Sequence, residues 1–191
     1  MNSILHDILY FFQSYFLGAS ICALLIGAGY RFYYYKQGIC RIGRMQILRG
    51  LYYSIFGSYL YIVLGITILS RELEVYRVIK LLPFSTFAWN PVSMKYVVEN
   101  ILLFVPFGMF VWTLWKENVS VKGFAKVSAV ASIGIELLQF FTRRGRVETD
   151  DVMLNTLGAV IGWFLIKGFM GVVRFFWFRL VNKFTQKGIV R

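Results

Sequence analysis

Acidic residues are scarce in this chain: nine Asp and Glu stand against 21 Lys and Arg. The four charged types together make up only 16% of the sequence. Soluble domains carry about 25% charged residues, so the deficit argues against water as the main solvent. His6 is the only histidine, which excludes a His-rich metal signature and leaves His6 as an interfacial residue. Cys22 and Cys40 are the only cysteines, and their spacing suggests neither a disulfide nor a CxxC metal site. No nucleophile motif or phosphate-binding loop is present. There are no internal repeats, low-complexity tracts or long soluble loops. The N-terminus lacks the basic region of a cleavable signal peptide, so its apolar run reads as a retained helix.

What remains is largely apolar, since hydrophobic residues make up 58% of the chain. Five runs approach or reach the ~20 residues that cross a hydrocarbon core. They lie at about Ile8–Tyr30, Leu51–Ser70, Asn100–Trp115, Val121–Phe141 and Val152–Val173. As helices, they satisfy every backbone N–H and C=O internally. The fold class is therefore all-α, a polytopic transmembrane bundle of about five helices. Asn90-Pro91 reads as an N-cap with proline at the first helical position, so the third helix can begin near Pro91. Pro106 lies inside that helix and should kink it by removing the hydrogen bond to the Leu102 carbonyl.

The net charge of +12 does not imply a nucleic-acid partner, because the basic residues lie mostly between and after the apolar runs. There they set orientation. With alternating helices, one side holds Arg31, Lys36, Arg41, Arg44, Arg49, Lys116, Lys122, Lys126, Lys167, Arg174, Arg179, Lys183, Lys187 and Arg191. The other side holds Arg71, Arg77, Lys80, Lys95, Arg143, Arg144 and Arg146. The positive-inside rule places the first set in the cytoplasm, with the N-terminus outside and the C-terminus inside. Among the acids, Glu117 alone falls on that cytoplasmic side, and Asp7 lies outside with the others. Residues 174–191 mix aromatics with basic groups; they read as a snorkelling anchor at the end of helix five, ahead of a segment lying in the inner interface against anionic lipid.

Polar residues interrupt the apolar pattern near three helix ends. Asn100, Phe104 and Gly108 are four apart, on one side of helix three. Glu136, Gln139 and Arg143 make a stripe on helix four, and Asp151, Asn155, Gly158 and Gly162 make one on helix five. Helix three starts where helix four ends and helix five begins. Parity alone therefore gathers Glu99, Asn100, Glu136, Gln139, Arg143, Asp150, Asp151 and Asn155 at one membrane face. Glu136 sits ~7 Å below Phe141, from five residues of helical rise. A charge at a helix centre costs roughly 2.5–3.5 kcal/mol, so Glu136 should face the protein interior and have a partner, or be protonated. Asp150 and Asp151 suit a helix N-terminus. Taken with Glu136, they make an acidic cluster that can hold a divalent cation through oxygen ligands or position an acid and a base. Neither role has a diagnostic spacing, and the sequence identifies no cofactor. Gly158 and Gly162 form G-x-x-x-G, which favours close helix packing. Arg143, Arg144 and Arg146 form a basic patch whose forks suit phosphate or carboxylate.

Leu82-Pro83-Phe84, Asn100-x3-Phe104-x-Pro106-x-Gly108, Glu136-x2-Gln139 and Arg146-x3-Asp150-Asp151-x3-Asn155-x2-Gly158 occur in that order. The ordered set resembles the VanZ-like membrane proteins over residues 51–173. The first helix and its basic loop (1–50) and the tail (174–191) lie outside the resemblance. It implies a bacterial cytoplasmic-membrane protein, multi-pass, in a family whose founding member is associated with teicoplanin resistance. The motif residues then divide into a ligand-binding set (Asn100, Glu136, Gln139, Arg143, Arg146, Asp150, Asp151, Asn155) and a structural set (Pro83, Phe84, Phe104, Pro106, Gly108, Gly158, Gly162). Two functions stay open. One is a non-enzymatic accessory that meets membrane lipid and binds a lipid-linked wall precursor or a glycopeptide at the outer leaflet. The other is a membrane enzyme acting on a lipid or glycan through Glu136, Asp150 and Asp151. The absence of a catalytic motif favours the first. A transporter is less favoured, because five helices in one copy leave little room for a pathway. The oligomeric state is not encoded in any of these features.

Overall fold

The computed structural model describes residues 2–84, 90–115 and 119–186. Lys116, Glu117, Lys187 and Arg191, with the side chains of His6, Asp7 and Lys183, lie outside that description. The protein is all-α, with helices α1 (Asn2–Lys36), α2 (Arg44–Leu64), α3 (Pro91–Trp115), α4 (Val121–Thr142) and α5 (Thr149–Gln186). All five contain a span long and apolar enough to cross a membrane, so the chain is a multi-pass membrane protein. Three helices exceed the sequence expectation, among them α2, which begins at Arg44 rather than Leu51. α1 extends past Tyr30 to Lys36, and α5 begins three residues before Val152 and continues to Gln186. Hydrophobicity marks only the lipid-crossing part of a helix. At 1.5 Å per residue the 38 residues of α5 measure roughly 57 Å, against ~30 Å of hydrocarbon. The segment after Val173 is therefore a continuation of α5, and its Arg174 and Arg179 lie on that helix.

The chain divides into two compact units. The first comprises Met1–Leu81 and Gly134–Glu148. Within it α1 and α2 pack antiparallel, as the pairs Tyr15–Gly65, Gly18–Tyr61, Gly27–Ser54 and Tyr30–Gly50 show. The Ser58 hydroxyl donates across this contact to the Ala19 carbonyl at 2.8 Å. A π-helical turn, Gly65–Leu69, follows α2. No strand was expected, but β1 (Ile79–Lys80) and β2 (Val147–Glu148) pair in parallel, Ile79 with Val147 and Lys80 with Glu148. An antiparallel bridge joins Leu73 and Arg144. The loops after α2 and after α4 thus hydrogen-bond side by side.

The second unit comprises Leu82–Ile133 and Thr149–Arg191. Here α3 and α5 run parallel, because Ile101 lies against Gly158 and Val105 against Gly162. A Cβ at Gly158, Gly162 or Gly108 would collide with the carbonyl oxygen of Ile101, Val105 or Ala159 respectively. The three glycines let the backbones touch, which is how helices associate when lipid supplies no hydrophobic drive. The first half of α4 runs antiparallel to α5: Asn155 bonds Ser132, and the Phe124 and Trp163 rings stand 6.3 Å apart. Phe104, Phe124, Leu154, Ala159 and Trp163 form the buried core. α3 continues as helix through Pro106.

The N-terminus of α3 has the expected cap. Asn90 Oδ1 accepts from Ser93 N at 2.9 Å, and Pro91 is the first helical residue. Asn90→Ala should lower thermal stability in detergent by an amount equivalent to ~0.5–2 kcal/mol, while Asn90→Asp or Asn90→Ser should lose much less. Equal loss in all three would mean the cap bond contributes nothing.

Candidate functional site

In the second unit the polar side chains collect where α3 and α5 both begin. Asp150 and Asp151 occupy the first turn of α5 and are 1% and 2% exposed. Their place on α5 suits the helix dipole, but burial requires specific donors. Both carboxylate oxygens of Asp151 accept from the Tyr96 hydroxyl, at 2.6 and 2.7 Å. Asn100 Nδ2 donates to Asp151 Oδ1 at 3.3 Å. The sequence parity that places Asn100 beside Asp151 is thus realised as a direct bond. Asp150 Oδ1 accepts from the Phe84 backbone N–H at 2.6 Å. Phe84 follows Pro83 with φ +63°, so the carboxylate holds a left-handed turn in place. One turn along α5, Asn155 Nδ2 donates to Ser132 Oγ at 2.9 Å, and both residues are buried.

In the first unit the end of α4 carries the remaining candidates. Glu136 is 3% exposed, and its Oε2 accepts from the Glu148 backbone N–H at 2.9 Å. The Glu148 side chain pairs with Lys80 at 2.9 Å. Glu136 therefore faces inward and anchors β2. Gln139 has a comparable duty: its Nε2 donates to the Thr67 carbonyl at 2.9 Å. Arg144 Nη1 donates to the carbonyls of Leu69, at 3.1 Å, and Arg71, at 3.3 Å. Carbonyls at the end of a helix lack intrahelical partners, and these two side chains supply donors there.

The turn after α4 has a defined geometry. Arg144 N donates to the Gln139 carbonyl and Arg143 N to the Phe140 carbonyl, the pair of bonds that closes a helix in a Schellman motif. Arg143 occupies its left-handed position, φ +56°, where glycine is usual. Arg146 Nε pairs with Glu74 at 3.0 Å. Arg143 is exposed, and among the described residues no hydrogen bond or ion pair holds its side chain. Glu99 pairs with Lys95 on the surface of α3 at 3.9 Å.

The basic patch therefore divides by role. Arg144 serves backbone carbonyls, Arg146 serves Glu74, and no bond among the described residues holds the Arg143 side chain. The acidic set divides as well: Asp150, Asp151 and Glu136 each accept from the chain's own N–H or O–H groups. Among the described residues, no group of three His, Cys, Asp or Glu side chains is placed to hold a metal ion. Two buried acceptors, Gln139 Oε1 and Asn155 Oδ1, have no partner among the described residues. Each would gain most from an additional donor, such as water or a ligand hydroxyl.

Several participants were not singled out from the sequence. Tyr96 lies four residues before Asn100, so extending the Asn100–Phe104–Gly108 stripe back one turn finds it. Ser128 and Ser132 extend the Glu136 stripe on α4 in the same way, and both are fully buried. Lys80, Glu148 and Thr67 have no such signal.

Comparison with known proteins bears on the same region. The profile of the VanZ/LLP1 family matches residues 51–174. Over 86 residues the chain is 30% identical to Protein VanZ of Enterococcus faecium, which covers 45% of this chain and 50% of that protein. The chain thus spans about half the length of the curated relative it matches. No solved structure matches.

Proposed function

Because this chain belongs to the VanZ/LLP1 family, we propose that it is a non-catalytic membrane protein that lowers sensitivity to teicoplanin-type glycopeptides. It sits in a bacterial cytoplasmic membrane, N-terminus outside and C-terminus inside. This orientation follows from the fourteen basic residues on one side against seven on the other. Under it the Arg143–Arg146 turn lies on the outer side. There the protein binds an anionic amphiphile, either a lipid-linked wall precursor or the antibiotic itself, and reduces drug access to its target.

One observation carries the choice of binding over chemistry. Asp150, Asp151 and Glu136 are buried and accept bonds from Phe84 N, from Tyr96 and Asn100, and from Glu148 N respectively. A general acid or base must reach the proton it moves on the substrate. These carboxylates reach backbone and side-chain donors of their own chain.

Expression in a teicoplanin-sensitive bacterium should raise the inhibitory concentration of teicoplanin above that of the empty vector. Glu136→Gln, brought to the wild-type level in the membrane, should protect as well as wild type, because its amide oxygen still accepts from Glu148 N. Loss of protection by Glu136→Gln at unchanged level and stability would favour chemistry at that carboxylate. No protection by the wild type would remove the resistance reading.

A further inference from the structure

The Schellman turn that ends α4 holds a contradiction between conformation and residue type. A left-handed C′ position favours glycine, then asparagine, yet here it carries Arg143 at φ +56°. Glycine is used two residues later, at Gly145, φ +111°. Strained backbone persists where the surroundings over-determine it, and they do so here. The Arg143 carbonyl accepts from Glu74 N at 2.8 Å, and Arg144 N bonds Gln139 O. Leu73 bridges Arg144, and the Arg144 guanidinium is tied to the Leu69 and Arg71 carbonyls. The turn's backbone is thus tethered at Arg143 and Arg144, while among the described residues no bond holds the Arg143 side chain. Its neighbours in the basic run are engaged, Arg144 by carbonyls and Arg146 by Glu74. The exposed acid on the facing segment, Glu72, makes no ion pair among the described residues.

We infer that Arg143 is the anion-receiving residue of this protein and takes the phosphate or pyrophosphate group of a membrane lipid. A guanidinium presents paired N–H donors to two oxygens of one phosphate. The rigid turn removes the backbone's share of the ordering cost and leaves only that of the side chain. The left-handed backbone is the stability given up to carry an arginine at that position. This inference rests on the binding reading above and names its residue and ligand chemistry.

The test uses the full chain in phosphatidylcholine nanodiscs, titrated with farnesyl pyrophosphate. Arg143→Gly and Arg143→Asn suit the left-handed position, so both should melt at or above the wild-type temperature. Both should bind the probe about tenfold more weakly or worse, the loss expected for one charge-assisted bidentate contact. Arg143→Lys should fall between, since it keeps the charge and loses the fork. Phosphatidylglycerol in the disc distinguishes the sources: displacement of the probe assigns the site to bulk phospholipid, and retention assigns it to lipid pyrophosphates. Wild-type affinity in both Arg143→Gly and Arg143→Asn would overturn the inference, as would a wild type that responds to neither lipid. Variants that lose the probe yet still protect cells would leave the anion site standing and remove the protective role instead.

Discussion

Leucine in place of Gly162 should stop α3 and α5 from seating against each other. A Cβ at that position already meets the Val105 carbonyl oxygen. The obstacle is backbone, which no rotamer change relieves, so the helices must separate. Overpacking of a core typically costs ~1–3 kcal/mol, and this case belongs at the upper end or beyond because three close approaches share one interface. Separation would also pull Asp151 from Tyr96 and Asn100, since those bonds cross between the same two helices. Gly168→Leu is the internal control: the same helix, the same substitution, and nothing within 4 Å of the added Cβ. Melting in detergent should fall sharply for Gly162→Leu and little for Gly168→Leu. Equal behaviour of the two would show that the α3–α5 contact is not as close as described.

The second large effect should come from Asp151→Ala. It removes the carboxylate that accepts from the Tyr96 hydroxyl and the Asn100 amide. An unsatisfied buried donor costs ~1–3 kcal/mol, and bonds to a charged acceptor are stronger than average. The combined loss should be about 2–5 kcal/mol. Asp151→Asn should lose less, because its amide oxygen still accepts from Tyr96. The assignment to Tyr96 is separable by a double-mutant cycle with Tyr96→Phe. In that background Asp151→Ala should cost less, with a coupling of about 0.5–3 kcal/mol. Strict additivity would mean the tyrosine and the aspartate do not act on each other.

Both predictions concern features whose outline is present in the sequence. The five spans follow from length and apolarity, and the Asn90-Pro91 start from capping chemistry. The alternation of helix direction was enough to bring Asn100 to Asp151 in the second unit. Periodicity also shows which side of α3 carries Asn100, although the stripe begins one turn earlier, at Tyr96. Other parts were not legible for physical reasons. The Gln139 and Arg144 bonds depend on carbonyls exposed at the π-helical end of α2, and a π turn leaves no mark on a 3.6-residue pattern. The two-residue strands are too short for an alternating signal, so the Lys80–Glu148 pair had none. The full length of α5 was hidden because Arg174 and Arg179 end the apolar run without ending the helix. The strain at Arg143 is a backbone property, and T-R-R-G-R in the sequence points to Gly145 as the special position.

The central claim is that the buried carboxylates build the protein and that it binds without converting its ligand. Incubating the nanodisc-embedded protein with a labelled lipid-linked wall precursor tests this most directly. The expected result is saturable retention of the label, all of it recovered chemically unaltered. Conversion of the label by the wild type, abolished in a folded Asp151→Asn protein, would contradict it.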